Sequence, residues 1–143
     1  MQPIVHLEEQ KEQDAVQLFV DARRALDAVE QQLQQLHGFK QEYQQRLQSE
    51  QGQGISIQRL REYQSFIENI SGTIDKSYLE IEAKRAVCEK YKQAWLRCRS
   101  RSQAMHKVVE KYQREERRQQ ERVEQKDQDE YAQRISSRTA GDE

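Results

Sequence analysis

Proline is almost missing from this chain: there is one, Pro3. A first helical turn tolerates proline, because the N–H it lacks would be unpaired there anyway. Nothing beyond position 3 therefore breaks a helix on that ground. Glycine is scarce too, at five residues, and only Gly52 and Gly54 fall close together. Cysteine is limited to Cys88 and Cys98. On one helix they would stand roughly 15 Å apart, too far for an intrachain disulfide. Reduced thiols in a cytoplasmic protein are the simple reading. Long apolar runs are absent: MQPIVHLEEQ has no basic region followed by an apolar stretch, so a signal peptide is not expected. No segment is apolar enough to span a bilayer by direct insertion. Net charge is −1, which gives the whole chain no electrostatic preference for nucleic acid or membrane.

The residues of catalysis are missing in the same way. His6, His37 and His106 are isolated, and none stands four residues from another histidine or a cysteine. The GQG at 52–54 follows no strand, so it is not a phosphate-binding loop. Two helices cannot enclose a water-excluding pocket. No catalytic residue, metal ligand or cofactor is expected.

What the chain does have is polarity with a period. Hydrophobic and charged residues each make up 34%, too polar for a globular core. A two-helix seam needs only about two buried residues in seven. Disorder is the competing reading of such polarity, and the heptads argue against it. In the first half one seam position runs Ala15, Ala22, Val29, Leu36, Tyr43. Its companion runs Phe19, Leu26, Leu33, Lys40, Leu47. In the second half the seam runs Leu60, Ile67, Ile74, Ile81, Cys88, Trp95, Ser102, Val109, Glu116, Val123. The companion runs Tyr63, Ile70, Ser77, Lys84, Tyr91, Cys98, Met105, Tyr112, Gln119. From Arg114 onward the seam turns mostly charged, with Val123 isolated. The cysteines, on seam positions, read as small apolar fillers.

Between the halves lies QSEQGQGIS, residues 48–56, where Gly52 and Gly54 supply positive-φ freedom for a reversal. Ser56 is suited to cap a second helix, with Ile55 and Leu60 as its hydrophobic staple. The expected fold is all-α: a long two-helix antiparallel coiled-coil hairpin with an overhanging C-terminal helix. It is read as one domain over 1–143, with helix 3–49, turn 50–55, helix 56–137 and a frayed tail 138–143. The helices would be roughly 70 Å and roughly 120 Å long. With the reversal centred near Gly52–Gly54, the numbers of facing residues should total about 106. Helix 1 is then used up near Ser100 to Met105. Charge agrees: Glu8, Glu9, Glu12 and Asp14 would face the basic run from Lys84 to Lys107. Each exposed pair is worth only about 0–1 kcal/mol. That basic run could also read as a nucleic-acid patch, but Tyr91 and Trp95 lie on the seam and cannot stack on bases as well.

One feature exceeds what a coiled coil needs. Phe39 and Phe66 flank the seam near the turn, and the expected register sets them nearly opposite each other on the same side. Leu36, Tyr43 and Ile70 lie beside them. The strip reads either as an end-cap that stabilises the turn or as a docking surface for a partner.

The run from Glu30 to Ile81 resembles the FliJ family of flagellar export proteins. The matching features are Leu33 and Leu36, Phe39, Glu42-Tyr43, the turn ending in Gly54-Ile55, then Tyr63, Gln64, Phe66 and Ile67. Asp129 to Arg134 resembles the family's C-terminal segment, so the likeness covers essentially the whole chain. It implies a non-enzymatic part of the type III flagellar export apparatus that serves motility. The family forms a stalk in the hexameric export ATPase, contacts the cytoplasmic domain of the export gate and handles export chaperones. It implies a cytoplasmic location, peripheral at the cytoplasmic face of the inner membrane, with no nucleotide or nucleic acid bound. By this resemblance the gate-binding surface is Gln32, Leu36, Phe39, Tyr43, Phe66 and Ile70. Thr73 and Ser77 hold two further positions, where their small polar side chains depart from the family pattern. The stalk of a virulence secretion system and a generic coiled-coil scaffold share the architecture.

Overall fold

The computed structural model describes residues 2–141, with side chains from Pro3. It contains two helices, α1 (Gln2–Gln53) and α2 (Ile57–Gly141), and no strand among the described residues. The fold is all-α, as the heptads require. It divides into two compact units: Lys11–Cys98, and the residues up to Gln10 together with those from Arg99 onward.

In the first unit α1 and α2 pack antiparallel. Val29, Leu33, Ile70, Ile74 and Ile81 form the buried core, with Leu26, Leu36 and Tyr43 packed against it. Cys88 is buried and Cys98 half-buried, both as free thiols. Each seam position expected between Ala15 and Cys98 is buried or half-buried, Lys40 and Lys84 included. Lysine achieves this by laying its methylene stem along the seam with the ammonium in water. No described side chain is more than 98% buried, because a two-helix seam leaves two open edges. Replacing a core isoleucine such as Ile74 with alanine costs about 2–5 kcal/mol at a site of this kind.

The reversal differs in detail from the expectation. Helix α1 continues through Gly52 to Gln53, past the expected end at Ser49. Of the two glycines only Gly54 takes a positive φ, +86°, and its N–H donates to the Gln51 carbonyl at 3.3 Å. Ser56 caps α2 as expected. Its Oγ accepts the Arg59 N–H at 3.2 Å, and its carbonyl accepts the Leu60 N–H at 3.0 Å. Ile55 and Leu60 are half-buried, as staple positions should be.

A latch spans the reversal. The Arg59 guanidinium donates to both Glu50 carboxylate oxygens, at 2.6 and 2.9 Å, and the Tyr63 hydroxyl donates to Glu50 Oε1 at 2.9 Å. The Arg59 hydrogen bond, then that of Tyr63, pulls the Glu50 pKa down to about 2. The same bond raises that of Arg59.

The pairing register is corrected. Glu30 meets Arg85 at 3.5 Å, His37 is hydrogen-bonded to Tyr78 at 3.1 Å, and Phe19 stacks on Trp95 with ring centroids 5.8 Å apart. The expected register would have set Phe19 opposite Val87 and His37 opposite Asn69. The real partners lie a little more than one heptad further along α2. Extension of α1 through Gly52 moves the reversal toward the C-terminus and accounts for about half of this shift, which is smaller beside the turn, where Tyr43 meets Tyr63 and Phe66.

In the second unit Val5 and Ser102 are buried, Met105 and Val109 half-buried, and His106 Nε2 lies 2.7 Å from Glu9 Oε1. Cover from α1 therefore reaches Val109, beyond the expected limit of Ser100 to Met105. From Glu110 to Gly141 every residue is exposed. The helix holds to Gly141, so Arg138–Gly141 is helical where a frayed tail was expected. Asp142 and Glu143 lie outside the described residues. Thr139 Oγ1 donates to the carbonyls of Ile135 and Ser136, at 3.0 and 2.9 Å, satisfying two acceptors near the helix end.

Candidate docking surface

With the seam at heptad positions a and d, a two-helix pair has two flanks, g against g and e against e. Leu18, Ala25, Gln32 and Phe39 all fall at g on α1. Phe66, Thr73, Glu80, Val87 and Ala94 all fall at g on α2. Phe39 and Phe66 thus share one side of the pair, as expected, and both are about half exposed, at 52% and 44%. They do not face each other. That expectation is corrected by the register: Phe66 packs on Tyr43, ring centroids 4.3 Å apart, and Tyr43 also meets Tyr63 at 6.4 Å. Arg46 lies over the Tyr43 ring at 5.4 Å, within range of a cation–π contact.

Phe39 instead lines an open groove. Gln32, Leu36 and Phe39 form one wall, and Thr73, Lys76 and Ser77 form the other. Thr73 and Ser77 thus join the surface on geometry. Their hydroxyls donate to the carbonyls of Asn69 and Thr73, at 3.0 and 2.9 Å. The wall they offer is methyl and methylene rather than free hydroxyl. Ile70 behaves differently: at 7% exposure it belongs to the core cluster and shapes the surface only from beneath. Leu36 and Tyr43 lie between these cases, half-buried against the core with an edge outward.

The structure thus forms two adjacent features, the Phe39 groove and the Tyr43–Phe66 aromatic pair. A second open hollow runs from Phe66 along the outside of α2 past Arg61 to Ile57, which is 71% exposed. The sequence reading missed Lys76, Arg46 and Ile57. Only a correct register could have placed Lys76 beside Phe39. Such a surface can bind an apolar or aromatic anchor and hold a nearby carboxylate, which is how protein partners are engaged. Among the described residues no group of three or more His, Cys, Asp or Glu is placed to hold a metal ion. No helix among the described residues is long and apolar enough to cross a membrane.

Known proteins resemble this chain along nearly its whole length. The model of the family described as flagellar FliJ protein matches residues 1–141. A flagellar FliJ protein of Salmonella typhi is 27% identical over 138 residues, covering 96% of this chain and 94% of the relative. One of Escherichia coli strain K12 is 28% identical over 132 residues, covering 92% of this chain and 90% of the relative. No solved structure matches. A match to the family model over residues 1–141, on a chain that folds as two helices joined by a capped reversal, makes this chain a member of the FliJ family of flagellar proteins.

Proposed function

We propose that this chain, a component of the flagellar protein export apparatus, is the stalk of the export ATPase ring and docks the export gate through the surface beside its turn. The observation that carries the gate contact is the half-exposure of Phe39 and Phe66 on one flank, with no third helix among the described residues to cover them. Exposed aromatic rings cost little to desolvate and supply large contact areas, so they serve as anchors. The ring contact falls to the exposed part of α2 beyond Val109. Handling of empty export chaperones is the third part of the proposal and rests on family membership alone.

The decisive experiment pairs two measurements on the Phe39→Ala, Phe66→Ala double variant. Half-exposed rings contribute less to folding than core phenylalanines, which cost about 3–5 kcal/mol on truncation. Thermal melting should therefore fall only slightly, mainly through the lost Tyr43–Phe66 contact. Affinity for the gate's cytoplasmic domain should drop about thirtyfold for each anchor removed, about 2 kcal/mol apiece. Binding to the ATPase should persist. A large loss of melting temperature with unchanged gate affinity would identify the strip as a mere end-cap.

A further inference from the structure

The latch at the reversal and the aromatic pair beside it share a border. Glu50 stands one heptad after Tyr43, at the same seam position of α1, where an apolar side chain would pack better. Its carboxylate instead holds the Arg59 guanidinium, at 2.6 and 2.9 Å, and the Tyr63 hydroxyl, at 2.9 Å. Arg59 also lies over the Tyr63 ring, 5.7 Å from its centroid. Tyr63 is thus gripped at its hydroxyl by Glu50 and on its face by Arg59. From Tyr63 the contacts run on to the docking surface. Its ring lies 6.4 Å from that of Tyr43, and Tyr43 packs on Phe66 at 4.3 Å.

Packing does not enclose these rings. An open hollow lies among Tyr43, Arg59, Glu62, Tyr63 and Phe66. A ring that borders such a space has no partner atoms on that side, so packing there does not oppose a change of rotamer. Phe66 is 44% exposed and leans on Tyr43. Tyr43 and Tyr63 are half-buried. The polar latch supplies what packing leaves open. A two-point contact with Arg59 fixes the carboxylate in direction as well as distance, and the carboxylate in turn fixes the phenol. Order therefore passes from the turn to the exposed ring through Glu50, Tyr63, Tyr43 and Phe66, crossing between the helices at each step but the last contact's end on α2.

We infer that Glu50 is a positioning residue for the docking surface beside the turn: it holds Tyr63, and through Tyr63 the Tyr43 ring, in the orientation that presents Phe66 to the partner. The inference rests on the reading of that surface as the gate contact. It adds to that reading a residue that touches no partner and still sets the affinity.

The test uses the full chain, the gate's cytoplasmic domain and a temperature well below melting, where circular dichroism shows every variant fully folded. Glu50→Ala removes the carboxylate, and Tyr63→Phe removes the hydroxyl but keeps the ring. Each should weaken gate binding about fivefold, within the range of coupling between neighbouring residues. The double variant should bind no more weakly than Glu50→Ala alone, because both changes break one chain of contacts. The NMR signals of the Phe66 ring, shifted by the Tyr43 ring beside it, should move in both variants. Ile81→Ala lowers stability far from the turn, and should leave both the affinity and the Phe66 signals unchanged. Wild-type affinity in Glu50→Ala would overturn the inference. So would lost affinity with unmoved Phe66 signals, which would make Glu50 a direct contact, or losses in the two single variants that multiply in the double. An equal loss in Ile81→Ala would reduce the effect to stability and overturn it as well. Failure of the gate reading shows separately: Phe39→Ala, Phe66→Ala would then bind the gate as tightly as the wild type, and the inference would fall with it.

Discussion

Glu50 illustrates how much one side chain can determine at a reversal. It stands three residues before the end of α1, yet its carboxylate holds two residues of α2, Arg59 and Tyr63. The bidentate contact fixes the angle at which the second helix leaves the turn, in a way a single-point ion pair would not. Its pKa, held at about 2 against an ordinary value of 4.5, makes this a linkage statement. A carboxyl whose folded pKa is depressed adds stability above its unfolded pKa and loses it as pH falls toward the folded one. The latch is therefore intact at neutral pH and is lost between pH 4.5 and about 2. Melting of the wild-type chain should fall more steeply across that window than melting of Glu50→Gln, which has no proton to bind. Parallel curves for the two proteins would show that the latch contributes nothing to folding.

At the scale of the helices, the period of the sequence and the position of the turn carried different information. The period was legible: expected seam residues from Ala15 to Leu47 and from Leu60 to Val109 are all buried or half-buried, whereas the last expected seam positions, Tyr112, Glu116, Gln119 and Val123, lie past the cover of α1 and are exposed. The axial offset between the helices was not. A heptad pattern looks the same after a slip of one heptad, so only the turn sets the offset, and the turn was placed too early. Glycine in a helix costs only about 1 kcal/mol, which the continuing seam of α1 outweighs at Gly52. The misplaced Phe39–Phe66 contact follows directly. Flank membership depends on the period and was right, whereas cross-helix partners depend on the offset and were wrong. Spin labels at 37 and 78 should report a short distance within one chain diluted in unlabelled chains. Labels at 37 and 69 should lie farther apart by about 13 Å along the helix axis. The opposite ranking would restore the earlier register.

The whole chain carries a long helix whose two parts are held by different physics. Up to Val109 the residues of α2 have α1 for cover, and every buried side chain falls within that range. From Glu110 to Gly141 no described residue covers the helix, and Val123 and Tyr131 stand 59% and 67% exposed. Support there is local, as in the Glu110–Arg114 pair at 3.7 Å. Such pairs are worth about 0.2–0.5 kcal/mol each, so an unpartnered helix of this kind melts gradually. Removing it should therefore separate folding from function. A chain ending at Val109 keeps the seam, the cap and the latch, and its cooperative melting temperature should match that of the full chain within a few degrees. Its helical signal should lose the broad, early part of the melt. If the exposed segment is what enters the ATPase ring, the shortened chain should no longer stimulate the ATPase, while its affinity for the gate's cytoplasmic domain stays unchanged. Stimulation at the full-length level would show that the ring contact lies elsewhere, and the paired end or the turn would have to be assigned to the ring instead.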